Sequence, residues 1–94
     1  MYETIKRLED IIDMRIKDKP EGSYTVKLVT GGLNKIAKKI GEESSEVIIA
    51  SLAENNQRLI EETADLLYHL LVLLHFKGLS LKDVEEELLR RMKK

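Results

Sequence analysis

The sequence predicts an all-α fold: five helices in one chain, forming a four-helix-bundle-like assembly as a homodimer or a larger oligomer. Three observations carry this expectation. Apolar residues recur at spacings of three and four along nearly the whole chain. Leu, Ile, Glu and Lys are abundant, while there is one proline and only 4% aromatic residues. One of the longest helical segments carries two seams rather than one, which calls for packing on two sides and so for a partner subunit.

The first helix spans about Tyr2 to Ile16, with Ile5, Leu8, Ile12 and Ile16 on one face. Pro20 and Gly22 break it. Ser23 is the expected N-cap of a short helix through Leu28 and Val29, which Thr30-Gly31-Gly32 ends with a glycine suited to a left-handed cap. The third helix runs from about Leu33 to Leu52, Glu54-Asn55-Asn56 forms the turn, and the fourth spans about Gln57 to Lys77. Gly78 stops that helix and Ser80 caps the fifth, whose apolar stripe is Leu81, Val84, Leu88 and Met92.

All 94 residues are expected to form one domain, 1–94. A chain of this size buries only about 60–65% of its unfolded surface. Without cysteine it has neither disulfides nor thiolate ligands, so association is the remaining source of stability. Sixteen basic and 17 acidic residues give a net charge of -1 and no field suited to nucleic acid. The N-terminal segment has no apolar signal core, and the apolar run Leu66 to Phe76 is far short of a membrane span. The expectation is a cytoplasmic protein with no membrane partner.

Two acidic clusters interrupt the seams: Glu42-Glu43-Ser44-Ser45-Glu46 and Glu62-Thr63-Ala64-Asp65. At about 100° per residue, Glu43 falls among Leu33, Ile36, Ile40, Val47 and Ala50, with Glu46 and Lys39 at the edge of that stripe and Glu42 further out. On the fourth helix Leu59, Leu66, Leu70 and Leu73 form one seam, and Glu62, Asp65, His69, Val72 and Phe76 the other. Glu54, Glu61 and Glu85-Glu86-Glu87 read as solvated. Glu43, Glu62 and Asp65 do not, because partly buried carboxylates ~6 Å apart repel by roughly 3 kcal/mol at an effective dielectric of ~20. Lys38 and Lys39 stand in the weaker orientation for helix ion pairs, and the fourth helix supplies no basic residue beside Glu62 and Asp65.

A hard divalent cation relieves this repulsion. An all-oxygen set suits Mg²⁺, with Mn²⁺ as the alternative, rather than Zn²⁺. A di-iron site is set aside because Glu-x-x-His occurs nowhere. Magnesium shares its shell with substrate phosphates, which points to phosphoanhydride chemistry. Lys35, Lys38, Lys39, Arg15 and Lys27 are candidates to grip those phosphates. His69, on the acidic seam, is a candidate for a substrate role or a packed seam residue.

Glu42-Glu43-x-x-Glu46, fifteen residues, then Glu62-x-x-Asp65 resembles the metal-binding pattern of the all-α nucleoside triphosphate pyrophosphohydrolases, the MazG-like enzymes and dimeric dUTPases. Ser23-Tyr24-Thr25-x-Lys27-Leu28, Gly32-x-x-Lys35-Ile36-x-x-Lys39-x-Gly41-Glu42-Glu43 and Ala64-Asp65-Leu66-Leu67-Tyr68-His69 narrow the resemblance to the phosphoribosyl-ATP pyrophosphohydrolases of histidine biosynthesis. Ser44 and Thr63 depart from the alanines usual there, and neither removes a ligand.

The resemblance implies a MazG-like fold and Mg²⁺-dependent hydrolysis of the α–β phosphoanhydride of 1-(5-phosphoribosyl)-ATP. Carried onto this chain, Glu43, Glu46, Glu62 and Asp65, with Glu42, become the metal set, and Glu43, Glu46 and Asp65 the catalytic carboxylates. Ser23, Thr25, Lys27, Lys35, Lys39 and His69 would meet the substrate, helped by backbone N–H groups at the start of the short helix. It also implies a separate cyclohydrolase acting next, since the fused form would need cysteine ligands and more chain. Two other readings compete: a MazG-like pyrophosphatase that clears noncanonical dNTPs, and a non-catalytic oligomerisation module holding a structural ion.

Overall fold

In the computed structural model, which describes residues 2–93, α1 (Tyr2–Asp18) buries Ile12 completely, with Ile5, Leu8 and Ile16 packed beside it. This is the face that the spacing predicts. The chain leaves α1 through Lys19 and Gly22, both at positive φ, on either side of Pro20. The Ser23 hydroxyl then accepts from the Val26 amide (3.3 Å) and starts α2 (Tyr24–Thr30). Short as it is, α2 buries Thr25 and Leu28.

Gly31 stays right-handed, and the positive φ falls at Gly32 (φ 87°, ψ -179°), a region essentially reserved for glycine. That one residue ends α2 and serves as N-cap of α3 (Leu33–Ala53). After Glu54 and Asn55 the chain reverses into α4 (Asn56–Phe76), whose first turn is capped by the Asn55 side chain accepting from the Arg58 amide (2.9 Å).

The α3–α4 hairpin is the frame of the molecule, with α1 and α2 laid across it. Its core is small: Ile12, Leu28, Ile36, Leu71 and Val72. The acidic seam of α4 is the buried one, bringing Glu62, His69 and Val72 inward. The leucine seam is more open, and Leu70 is 38% exposed.

Gly78 (φ 76°) releases the chain from α4, and α5 (Leu81–Met92) departs at 104°. Ser80 and Asp83 form a capping box, as the Ser80 amide donates to Asp83 Oδ2 (2.9 Å). The apolar stripe of α5 meets the leucines of α4 at Leu81 and Val84. Leu88 and Met92 stay largely exposed, with Tyr2 of α1 on the other side of a shallow apolar pocket.

What ties α5 down is a residue the periodicity does not reveal. Glu9 of α1 is buried, and its Oε2 accepts from the Leu81 amide (2.6 Å) and from His75 Nε2 (2.9 Å). One carboxylate thus joins α1, the end of α4 and the start of α5. Among the described residues no single helix is long and apolar enough to cross a membrane.

Candidate active site

The third and fourth helices run antiparallel at close range, so one face of each supplies the same groove. Glu43 of α3 and Glu62 and Asp65 of α4 each bring a carboxylate oxygen to within 4.8 Å of the others. Glu43 and Glu62 are buried, and Asp65 is exposed at the mouth. Among the described residues, Glu43 Oε2 and Glu62 Oε2 find no hydrogen-bond partner. Buried carboxylate oxygens are nearly always paired, so two orphans beside a third acid mark a place for a cation. The donors are all oxygen, which fits a hard divalent ion.

Glu46 lies on the outer side of the groove and is exposed, yet its carboxyl reaches that of Glu62. Sharing a proton with Glu46 raises the Glu62 pKa above its ordinary value, and burial and the Glu46 charge push the same way. Glu42 stands apart from the cluster, exposed and paired with Lys39 at 3.6 Å. The Lys39 ammonium also approaches Glu43 Oε1 (3.9 Å), on the side away from the orphan oxygen.

The groove is bordered by aromatic and imidazole groups from α2 and α4. His69 Nδ1 donates to the backbone carbonyl of Asp65 (2.7 Å), and Nε2 is hydrogen-bonded to the Tyr24 hydroxyl (2.9 Å). The Thr25 and Tyr68 hydroxyls bond to each other. The rings of Tyr24, Tyr68 and His69 lie 5.1–6.1 Å apart, and His69 meets both tyrosines edge-on.

The phosphoribosyl-ATP pyrophosphohydrolase family matches residues 5–92. The chain belongs to that family. A Metallosphaera sedula protein named phosphoribosyl-ATP pyrophosphatase is 50% identical over 93 residues, 99% of this chain and 100% of the relative. A Pyrobaculum islandicum protein of the same name is 53% identical, covering 97% of both chains. One from Sulfurisphaera tokodaii is 57% identical over 92% of each.

Within this family member, the other residues picked out from sequence divide by position. Ser23 spends its hydroxyl on the α2 cap, and Thr25 is fully buried against Tyr68. Lys35 folds back over the end of α2, its ammonium donating to the Lys27 carbonyl (3.4 Å). Its stem fills the space over Gly31, where a Cβ would meet Lys35 Cδ at 2.2 Å. Lys27 is exposed on α2. Lys39 alone of the lysines stands between the aromatic border and the acids, with its pKa raised first by the Tyr24 phenol and then by Glu42 and Glu43.

One expectation is corrected: α4 does supply a basic partner for Glu62. Arg58 Nη2 holds Glu62 Oε1 at 2.6 Å while Nη1 holds Glu61 at 2.5 Å. The residue sits in the first turn of α4, four positions before Glu62, and its long side chain spans the full turn between them. Arg58 opposes the rise in the Glu62 pKa without cancelling it, and it leaves Oε2 unpaired. The i,i+4 spacing of Arg58 and Glu62 is the signal that would have found it.

Proposed function

We propose that this chain hydrolyses the α–β phosphoanhydride of 1-(5-phosphoribosyl)-ATP, releasing phosphoribosyl-AMP and pyrophosphate, the second step of histidine biosynthesis. Family membership supports the substrate, and one geometric observation supports the site: two buried glutamates, Glu43 and Glu62, each with an unpartnered oxygen and each with a carboxylate oxygen within 4.8 Å of one of Asp65. Glu43, Glu62 and Asp65 hold Mg²⁺, or Mn²⁺ in its place, and Glu46 completes the set, while Glu42 stays outside with Lys39. An ion held there would supply positive charge to phosphate oxygens and lower the pKa of water.

The chain's own groups do the remaining work. Glu43, Glu46 and Asp65 orient the attacking water and receive its proton. The water oxygen bonds to phosphorus, the bridging P–O bond breaks, and pyrophosphate takes the electron pair. Lys39 and Lys27 face the outgoing phosphates as point charges, with Lys35 nearer α2, and His69 fixes the Asp65 turn. Ser23 and Thr25 hold α2 in register beside the groove.

Residues 1–94 act as one domain in the cytoplasm, and the product goes on to a cyclohydrolase. The active form of the chain is a homodimer or larger. Ile48, Ile49, Leu52 and Ile60 are all more than half exposed, as is Met92 of α5, and burying such faces in a second copy removes the exposure. Sedimentation at micromolar concentration should give at least a dimer, and a monomer would contradict this. Product analysis with phosphoribosyl-ATP in ¹⁸O-water, with Mg²⁺ and with EDTA, tests the reaction. Pyrophosphate and phosphoribosyl-AMP should appear only with metal, and a panel of noncanonical dNTPs should turn over far more slowly.

A further inference from the structure

Nothing in the hydrolysis itself uses the ring of Tyr24, yet the structure fixes that ring more tightly than its exposure requires. Tyr24 is 45% exposed, on a seven-residue helix at the rim of the groove. An exposed tyrosine on a short helix would ordinarily turn freely. Here the hydroxyl is pinned to His69 Nε2 at 2.9 Å, and Tyr68 and His69 hold the ring from the side, with His69 edge-on at 83°. His69 is itself locked to the Asp65 carbonyl, so the orientation of Tyr24 is set by the same turn of α4 that carries an acid of the site.

The hydrogen-bond chain places the ring: Tyr24 bonds to His69 and His69 to the backbone of Asp65, so the ring stands beside the acidic groove on its α2 side. A fixed aromatic face half open to water, next to a cation and to a cluster built for a metal and phosphates, has the chemistry of a base platform. A nucleotide carries its flat purine a ribose away from its α-phosphate. Stacking on an aromatic face needs no hydrogen-bond readout and uses a plane that is already ordered.

We propose that Tyr24 is the stacking platform for the adenine ring of the substrate, with His69 as the residue that sets its plane. This rests on the assignment of a phosphoribosyl nucleotide as substrate. Tyr24 is then a specificity-determining residue that separates phosphoribosyl-ATP from simple polyphosphates.

Three variants and two inhibitors test it. For Tyr24→Leu, the KM for phosphoribosyl-ATP and the inhibition constant of phosphoribosyl-AMP should rise roughly five- to hundredfold. The inhibition constant of pyrophosphate should stay within about threefold. Tyr24→Phe keeps the ring and should hold phosphoribosyl-AMP nearly as well as the parent. The sequence has no tryptophan, so Tyr24→Trp places a single indole at the rim. Its fluorescence should be quenched by phosphoribosyl-AMP and left unchanged by pyrophosphate, a readout that holds even if Tyr24→Leu fails to fold. Unaltered phosphoribosyl-AMP inhibition in folded Tyr24→Leu, an equal loss for pyrophosphate, or an indole blind to phosphoribosyl-AMP would each overturn the platform. A parent protein that cannot turn over phosphoribosyl-ATP would instead remove the substrate assignment, and the platform with it.

Discussion

The Arg58 guanidinium holds one oxygen of Glu62 at 2.6 Å and leaves the other, Oε2, buried without a partner. The pair is therefore half made. Arg58 lowers the Glu62 pKa against the larger pull of Glu46 and of burial, and Glu62 still brings a carboxylate oxygen to within 4.8 Å of Glu43 and Asp65. Replacing Arg58 by Gln removes the one group that lowers the Glu62 pKa. The acid limb of metal binding, followed by Mn²⁺ electron paramagnetic resonance against pH, should then move to higher pH. A limb that stayed in place would show that Arg58 serves only Glu54 and Glu61.

The metal-free protein should become more stable, not less, as pH falls through the raised Glu62 pKa. The folded state binds this proton more tightly than the unfolded chain, whose carboxyl titrates near 4.5. The contribution is complete below about 4.5 and is lost as pH rises through the folded value. Thermal melts in EDTA should show this as a difference between the parent and Glu62→Gln that grows across that window. With metal bound the slope should reverse, because protons and the cation compete for the same oxygens.

Glu43→Gln and Asp65→Asn should each lower turnover of phosphoribosyl-ATP by about a hundredfold or more while circular dichroism stays helical. In EDTA both should melt at or above the parent temperature, since each removes a charge from an uncompensated cluster. A clear loss of stability in EDTA would mean that these acids support the fold instead of a ligand.

Glu9→Ala should act far from the groove. It leaves the Leu81 amide and His75 Nε2 without their acceptor, a loss of about 2 kcal/mol or more for a buried charged acceptor. Amide hydrogen exchange should speed up along α5 before any other helix. Metal binding at Glu43 and Glu62 should be unchanged, and a matching loss there would tie the two clusters together.

All five helices could be read from the sequence because their signals are local. Ser23, Ser80 and the glycines punctuate within a few residues, and the apolar spacing of α1, α3 and α4 follows directly from the helical period. The acids were legible for the same reason: Glu43 lies in phase with Ile36 and Ala50. What escaped depends on residues far apart in the chain. Tyr24 meets His69 across 45 positions, and Glu9 meets Leu81 across 72. A solvated glutamate and a buried one look alike until the packing around them is known. Arg58 differs: the first turn of α4 reads as a helix start, and the apolar period says nothing of a long side chain reaching forward along the helix to Glu62.

On α3, Ile36, Glu43 and Ala50 follow one another at intervals of seven residues and are all buried; on α4, Glu62 and His69 keep the same interval, as do Asp65 and Val72. Ligands and core therefore share one angular phase on each helix. A single residue inserted or deleted between Ile36 and Glu43, or between Asp65 and Val72, would swing the carboxylates about 100° out of the groove while the core stayed where it was. Length changes there should be all-or-none, whereas the same change in the Glu54–Asn55 turn leaves both phases intact. The spacing of this site is thus guarded by the packing of the core.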